Sequence, residues 1–197
     1  ICIIIYIIMP IKFDLENLRR KYECVNYFET GLFDPRENVS SKIALNCNFK
    51  KLYCIEIRKD WVDLGKEIFK EQINNNKYHL YLDDSTNMKK YLVGNDFDNK
   101  TMFFLDAHVD NKNIHNYKMK CPLFEELEAI KTLKRKDNVI LIDDLRAFKK
   151  PFPWGETRYG NKILLNKIKE LILTINKDYK FSTLNGFIND DVLLAYV

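Results

Sequence analysis

An α/β fold on a mostly parallel sheet is predicted by three features of this 197-residue chain. Two apolar runs, Thr101–Leu105 and Asn138–Ile142, carry β-branched and aromatic residues without alternation, as strands buried on both faces do. Each ends abruptly in acid, the first at Asp106-Ala-His108 and the second at Asp143-Asp144. Between them Leu123, Leu127, Ile130 and Leu133 recur at helical spacing behind Pro122. Strand, helix and strand in this rhythm form a right-handed crossover between parallel strands. The acids then share one sheet edge, the carboxyl edge at which open α/β sheets bind ligands. Lastly, Tyr179–Leu184 and Asp191–Val197, joined through Asn185-Gly186, predict an antiparallel closing hairpin.

The remaining elements alternate in type. Asp14–Lys21 reads as a short helix with Leu15 and Leu18 inward, leading to a strand over Val25–Glu29. A loop through Gly31 and Asp34-Pro35 precedes a helix carrying Ile43, Ala44 and Leu45, for which Ser40 or Ser41 is the expected cap. Lys51–Glu56 reads as the second strand. The helix after it, from Asp60, should bury Trp61, Leu64, Ile68 and Phe69 on one face. Tyr78–Leu82 is a third strand that ends at Asp83-Asp84-Ser85 and yields to a short helix through Met88 and Leu92. After the second acid-ended strand, the aromatic loop Pro151–Gly155 precedes a long helix from about Asn161 to Ile175.

Composition narrows the class. Hydrophobic residues make up 46% and charged residues 30%, ordinary for a globular protein able to bury a core without disulfides. The net charge of +4 is spread along the chain, and its densest basic stretches, 131–136 and 146–150, read as a solvated helix end and a loop, so no nucleic-acid partner is expected. Five cysteines without Cys-x-x-Cys spacing suit a reducing compartment, the cytoplasm, and give neither a zinc site nor a disulfide framework. The opening run Ile1–Met9 stops at Pro10, far short of the ~20 apolar residues that span a bilayer, and has no basic flank or small-residue cleavage site of a secretory signal.

Six local phrases then fall in order on these elements: Phe28-Glu-Thr-Gly31, Ile55-Glu56, Asp83-Asp84-Ser85, Phe104–His108, Cys121–Leu127 and Ile140–Asp144. The set resembles the class I S-adenosylmethionine-dependent methyltransferases, and within them small sugar O-methyltransferases with the acidic metal triplet of the macrocin type. The resemblance implies a Rossmann-like methyltransferase fold, with helices on both faces of the sheet and an antiparallel last strand. It divides the chain into a lead-in over 1–24, an apolar strand and a helix, and one methyltransferase-like domain over 25–197.

It also implies roles. Glu29 and Gly31 match the motif beside the amino-acid part of the cofactor, Glu56 the acid that accepts the ribose hydroxyls, and Asp84 and Ser85 the adenine side. Asp84 and Ser85 read equally as a helix cap. Asp106 matches both a cofactor position and, with Asp143 and Asp144, the ligands of Mg²⁺ or a similar divalent cation; a plain reading leaves Asp106 closing the pocket and the pair capping a turn. His108, two residues past Asp106, is the candidate general base, ahead of His115 and His79. Arg146, Trp154 and Arg158 follow the fifth strand, where the resemblance places a small polar acceptor, a sugar or nucleotide-sugar. One departure stands out: Gly31 is followed by Leu-Phe-Asp-Pro-Arg-Glu-Asn38, where the family usually has more glycine. That loop keeps open a fold relative without catalysis, alongside a metal-independent methyltransferase acting on another acceptor.

Overall fold

The structure, a computed structural model, describes residues 11–37, 39–107, 121–151 and 162–197. Among them seven strands form one sheet in the order β3-β2-β1-β4-β5-β7-β6. These are β1 Asn26–Thr30, β2 Lys51–Glu56, β3 Tyr78–Leu82, β4 Thr101–Leu105, β5 Val139–Ile142, β6 Lys180–Leu184 and β7 Val192–Tyr196. The first five run parallel, and β7 lies antiparallel between β5 and β6. Helices α1 Leu15–Lys21, α2 Ser40–Leu45, α3 Lys59–Ile68, α4 Lys70–Asn74, α5 Leu123–Lys131, α6 Leu145–Phe148 and α7 Leu165–Ile175 connect them, with two 3₁₀ turns over Ser85–Lys90 and Asn95–Asp98.

Alternate residues of the central strands feed two cores. Tyr27, Leu52, Cys54, Met102, Phe104 and Leu141 face α1, α2 and α3. Phe28, Tyr53, Phe103, Ile140 and Leu193 face α5, α7 and the first 3₁₀ turn. Both faces are therefore covered, which is why β4 and β5 read as unbroken apolar runs. The predicted crossover is present: α5 starts after Pro122 and buries Leu123, Leu127 and Ile130 between β4 and β5.

Local differences from the sequence reading have identifiable causes. Asp14 caps α1 by accepting from the Asn17 N–H at 2.8 Å, but α2 follows Val39 without a side-chain cap, because the Ser40 and Ser41 hydroxyls turn inward. Helix α3 buries Val62, Gly65 and the adjoining Phe69, leaving Ile68 exposed and Trp61 and Leu64 half-buried, so the expected face is rotated. Gly65 causes this, since a Cβ there would stand 2.8 Å from Leu80 Cδ2, and the helix settles onto the sheet at its smallest residue. Residues 146–150 were expected as loop, yet their first part belongs to α6. The β6–β7 connection spans residues 185–191, longer than a tight turn, and Asp190 takes a left-handed φ of 57° within it. Helix α7 begins at Leu165, later than expected. The opening run Ile1–Met9 and the aromatic loop from Phe152 to Gly155 lie outside the described residues.

Candidate active site

Strands β1, β2, β4 and β5 end at one edge, and the turns beyond them bring most of the predicted residues there. Gly31 follows β1 with φ of 85°, its N–H donating to Ile55 O at 2.9 Å. A Cβ at this position would lie 2.6 Å from Asp106 O, so the close approach of the β1 and β4 turns requires glycine here. Asp106 is half-buried, and its N–H donates to Thr30 O at 3.1 Å.

Glu56 ends β2 almost fully buried. Its Oε2 accepts the N–H groups of Leu32 at 2.8 Å and Phe33 at 3.2 Å, and its Oε1 accepts the Arg58 N–H at 2.7 Å. Burial pushes its carboxyl above the ordinary carboxylate value, opposed by these same backbone donors. Glu29, which the resemblance assigns to the cofactor motif, is fully buried. Its carboxylate sits beneath α2, accepting the Ser40 hydroxyl at 2.7 Å, the Ser41 hydroxyl, and the Tyr27 hydroxyl at 3.1 Å. Burial raises this carboxyl too, with the Ser41 and Ser40 hydroxyls working against the shift.

Asp84 takes the cap role, its Oδ1 accepting the Thr86 N–H at 2.9 Å, and Ser85 is buried in the turn that follows. Asp83 anchors that turn by accepting from Asn87 Nδ2 and the Tyr91 hydroxyl, both at 2.8 Å.

The acids after β5 converge with a partner that the sequence reading missed. Asp143, Asp144 and Asp191 are all buried, and they offer oxygens within 4.8 Å of one another. Asp106 is outside this convergent group, whose third member is Asp191. Asp191 directly precedes β7. Being antiparallel, β7 begins at the edge where β5 ends, as the pairing of Ile142 with Leu193 shows. That rule was the available signal: an antiparallel neighbour delivers its amino end to the site.

A cation of the chain already lies among these acids. The Arg146 guanidinium pairs with Asp144 Oδ1 at 2.5 Å and with Asp191 Oδ2, and the Arg146 N–H donates to Asp191 Oδ1 at 3.0 Å. Arg146 is therefore committed to the acids in this conformation rather than extended toward an acceptor. Asp144 adopts a left-handed φ of 53°, and its N–H donates to Asp143 Oδ1 at 2.8 Å. Opposite them, a Cβ on Gly186 would stand 3.1 Å from Asp143 Oδ1, so glycine lets the β6–β7 connection close over the acids.

His108, His115, Trp154 and Arg158 lie outside the described residues. His79 is half-buried on β3, its ring stacked 4.8 Å from Tyr53, and burial holds its pKa below the usual imidazole value.

The donor chemistry fits the groups this fold implies. Hard carboxylate oxygens suit Mg²⁺ better than any softer metal, though Arg146 shares two of the three acids. Glu56 has the acceptor-only character and strand-end place that a ribose diol needs, although backbone donors hold it here.

Strand order and the antiparallel β7 together define a Rossmann-like methyltransferase fold. Solved structures carry the same fold. The chain is similar to an O-methyltransferase from Bacillus cereus in complex with SAH, at 15% identity and TM-score 0.57, over 92% of this chain and 78% of that one. It is similar to the SAM-bound O-methyltransferase TomG of Streptomyces achromogenes, involved in tomaymycin synthesis, at 16% identity and TM-score 0.55, over 92% and 77%. A SAH-bound methyltransferase of Podospora anserina matches at 15% identity and TM-score 0.55, over 91% and 74%. No family model matches the sequence, and no curated protein matches it at the sequence level.

Proposed function

We propose that this chain is an S-adenosylmethionine-dependent O-methyltransferase acting on a hydroxyl of a small polar acceptor, a sugar or nucleotide-sugar, with 25–197 as its methyltransferase domain and the cytoplasm as its compartment. One observation carries the reading: in a sheet ordered 3-2-1-4-5-7-6, the carboxyl ends of β2, β4 and β5 are all marked by acids, Glu56, Asp106, Asp143 and Asp144. Among the described residues no helix is long and apolar enough to cross a membrane.

Each residue then has a physical task. Glu56 would accept the ribose hydroxyls, Gly31 would leave room for the amino-acid end, and Asp84 with Ser85 would flank the adenine. Glu29 would act through the β1–α2 packing rather than by touching the cofactor. S-adenosylmethionine supplies an activated methyl group on sulfonium, which leaves the chain to align the acceptor oxygen and remove its proton. Methyl transfer forms the carbon–oxygen bond, breaks the carbon–sulfur bond, and sends the acceptor's proton to a base. His108 is that base in our reading. Asp106, Asp143 and Asp144 would hold a divalent cation, which would lower the pKa of the acceptor hydroxyl. A metal-independent reading is favoured by one observation, the Arg146 guanidinium paired with Asp144 and Asp191.

Calorimetric titration with SAH tests the core of the proposal. Binding is expected, and Glu56→Ala should weaken it at least about 10-fold, the worth of a charge-assisted hydrogen bond, while a cooperative melt is retained. Absence of binding at millimolar SAH in wild-type protein and in variants alike would reject it. With acceptor in hand, His108→Ala should lower kcat by on the order of 10²-fold and leave SAH affinity unchanged.

A further inference from the structure

The turn after β1 does more than pass the cofactor edge. Its two N–H groups, from Leu32 and Phe33, both end on Glu56 Oε2, and Arg58 N–H ends on Oε1. A carboxylate offers about four lone-pair sites, and these three N–H groups, with the Ile57 N–H also drawn to it, leave no two of them free. A ribose diol donates two hydrogen bonds and cannot be accommodated on Glu56 in this arrangement.

Two further features fit a segment with two positions. Leu32 is buried against α3, its Cδ2 only 3.0 Å from where a Cβ would stand on Gly65. Phe33 follows at φ of 63°, a left-handed conformation that bulky residues avoid, with its side chain 44% exposed. Its ring meets Trp61 at 5.0 Å, and the Arg58 guanidinium covers the same indole at 3.7 Å. One apolar side chain and one aromatic contact therefore hold a strained turn over the carboxylate.

We propose that Leu32–Phe33 is a plug of the ribose site: in the free protein it donates to Glu56 the hydrogen bonds that the ribose hydroxyls donate in the loaded protein. A nucleoside cofactor enters only when the plug lifts, and its apparent affinity is reduced by the fraction of molecules with the plug raised. The inference rests on the methyltransferase reading above and adds a regulated step to the same site. Leu32 is the latch. Gly65 is its seat, and any residue larger than glycine there would press on it.

Titration of the intact chain with SAH tests the plug through two variants. Leu32→Ala removes the latch. Phe33→Pro removes one donor N–H, and proline cannot adopt the left-handed φ. Each should bind SAH on the order of 10-fold more tightly than wild type. In stopped flow, the binding rate of wild type should level off as SAH rises, at the rate of plug opening, and the plateau should rise in the variants. Variants that bind no tighter than wild type, with cooperative melts, would overturn the plug and leave the methyltransferase reading standing. Should Leu32→Ala fail to fold, Phe33→Pro decides alone, because its side chain is largely outside the core. If no form binds SAH at millimolar concentration, both proposals fall; binding by Phe33→Pro alone would support both.

Discussion

Glu29 and Glu56 sit on neighbouring strands and face opposite fates. Glu56 reaches the open edge, where backbone N–H groups meet it. Glu29 lies inside the layer beneath α2, where hydroxyls of Ser40, Ser41 and Tyr27 replace water. Its raised pKa has a definite consequence for stability. The folded state holds the Glu29 proton more tightly than the unfolded state, whose value is near 4.5. The stabilisation is thus complete below that value and is lost as pH rises toward the folded pKa. Glu29→Gln keeps the shape and removes the titration. Urea denaturation from pH 4 to pH 8 should show wild-type stability falling over this window and the variant's remaining flatter. A parallel fall in both proteins would assign the titration to another group.

Helix α3 shows how one residue turns a whole element. Its apolar residues sketch a face through Trp61, Leu64, Ile68 and Phe69, of which only Phe69 is buried, and the buried face runs from it through Gly65 and Val62. The loss of side-chain burial at Gly65 is offset by closer approach to Leu80 and Leu32. Gly65→Val should therefore overpack this contact and cost about 1–3 kcal/mol, although it removes a helix glycine. A shift of the urea midpoint at unchanged slope checks it, and a neutral effect would mean that α3 can move away from the sheet. Strand β7 teaches the complementary lesson, because its antiparallel direction carries Asp191 to the acid edge rather than to the opposite one.

Across the whole molecule the Arg146 cluster ties the α6 turn to the start of β7, far apart in sequence. Leu145 N–H donates to Asp191 O at 2.7 Å, and the guanidinium reaches both Asp144 and Asp191. Arg146→Gln would leave the fully buried Asp191 carboxylate without its cation. The guanidinium is 36% exposed, so the cost should fall below that of a fully enclosed pair, about 2 kcal/mol. Millimolar Mg²⁺ should then raise the variant's thermal midpoint more than that of wild type, because the cation replaces the lost charge among oxygen donors. Equal shifts in both would show that Arg146 and the divalent ion do not compete for these acids.

Much of this fold was legible before any coordinate. Strands β2 and β3 match their runs residue for residue, and the α5 crossover follows from Pro122 and the spacing of Leu123, Leu127 and Ile130, because burial on both faces of β2 and on alternate residues of the edge strand β3 leaves a local imprint. The strand-end acids Glu56, Asp106, Asp143 and Asp144 were legible too, since acid directly after an apolar strand must lie at its carboxyl end. By itself the sequence determined the order and kind of the main elements and the edge at which their acids gather. Only the tertiary structure decided that Asp191 joins them, that Arg146 turns inward to meet two of them, that Ser40 and Ser41 serve Glu29 rather than cap α2, and that Leu32 and Phe33 close on Glu56. Periodicity reports which face a residue takes within its own element, whereas these contacts arise where separate elements meet, and no local pattern records that distance.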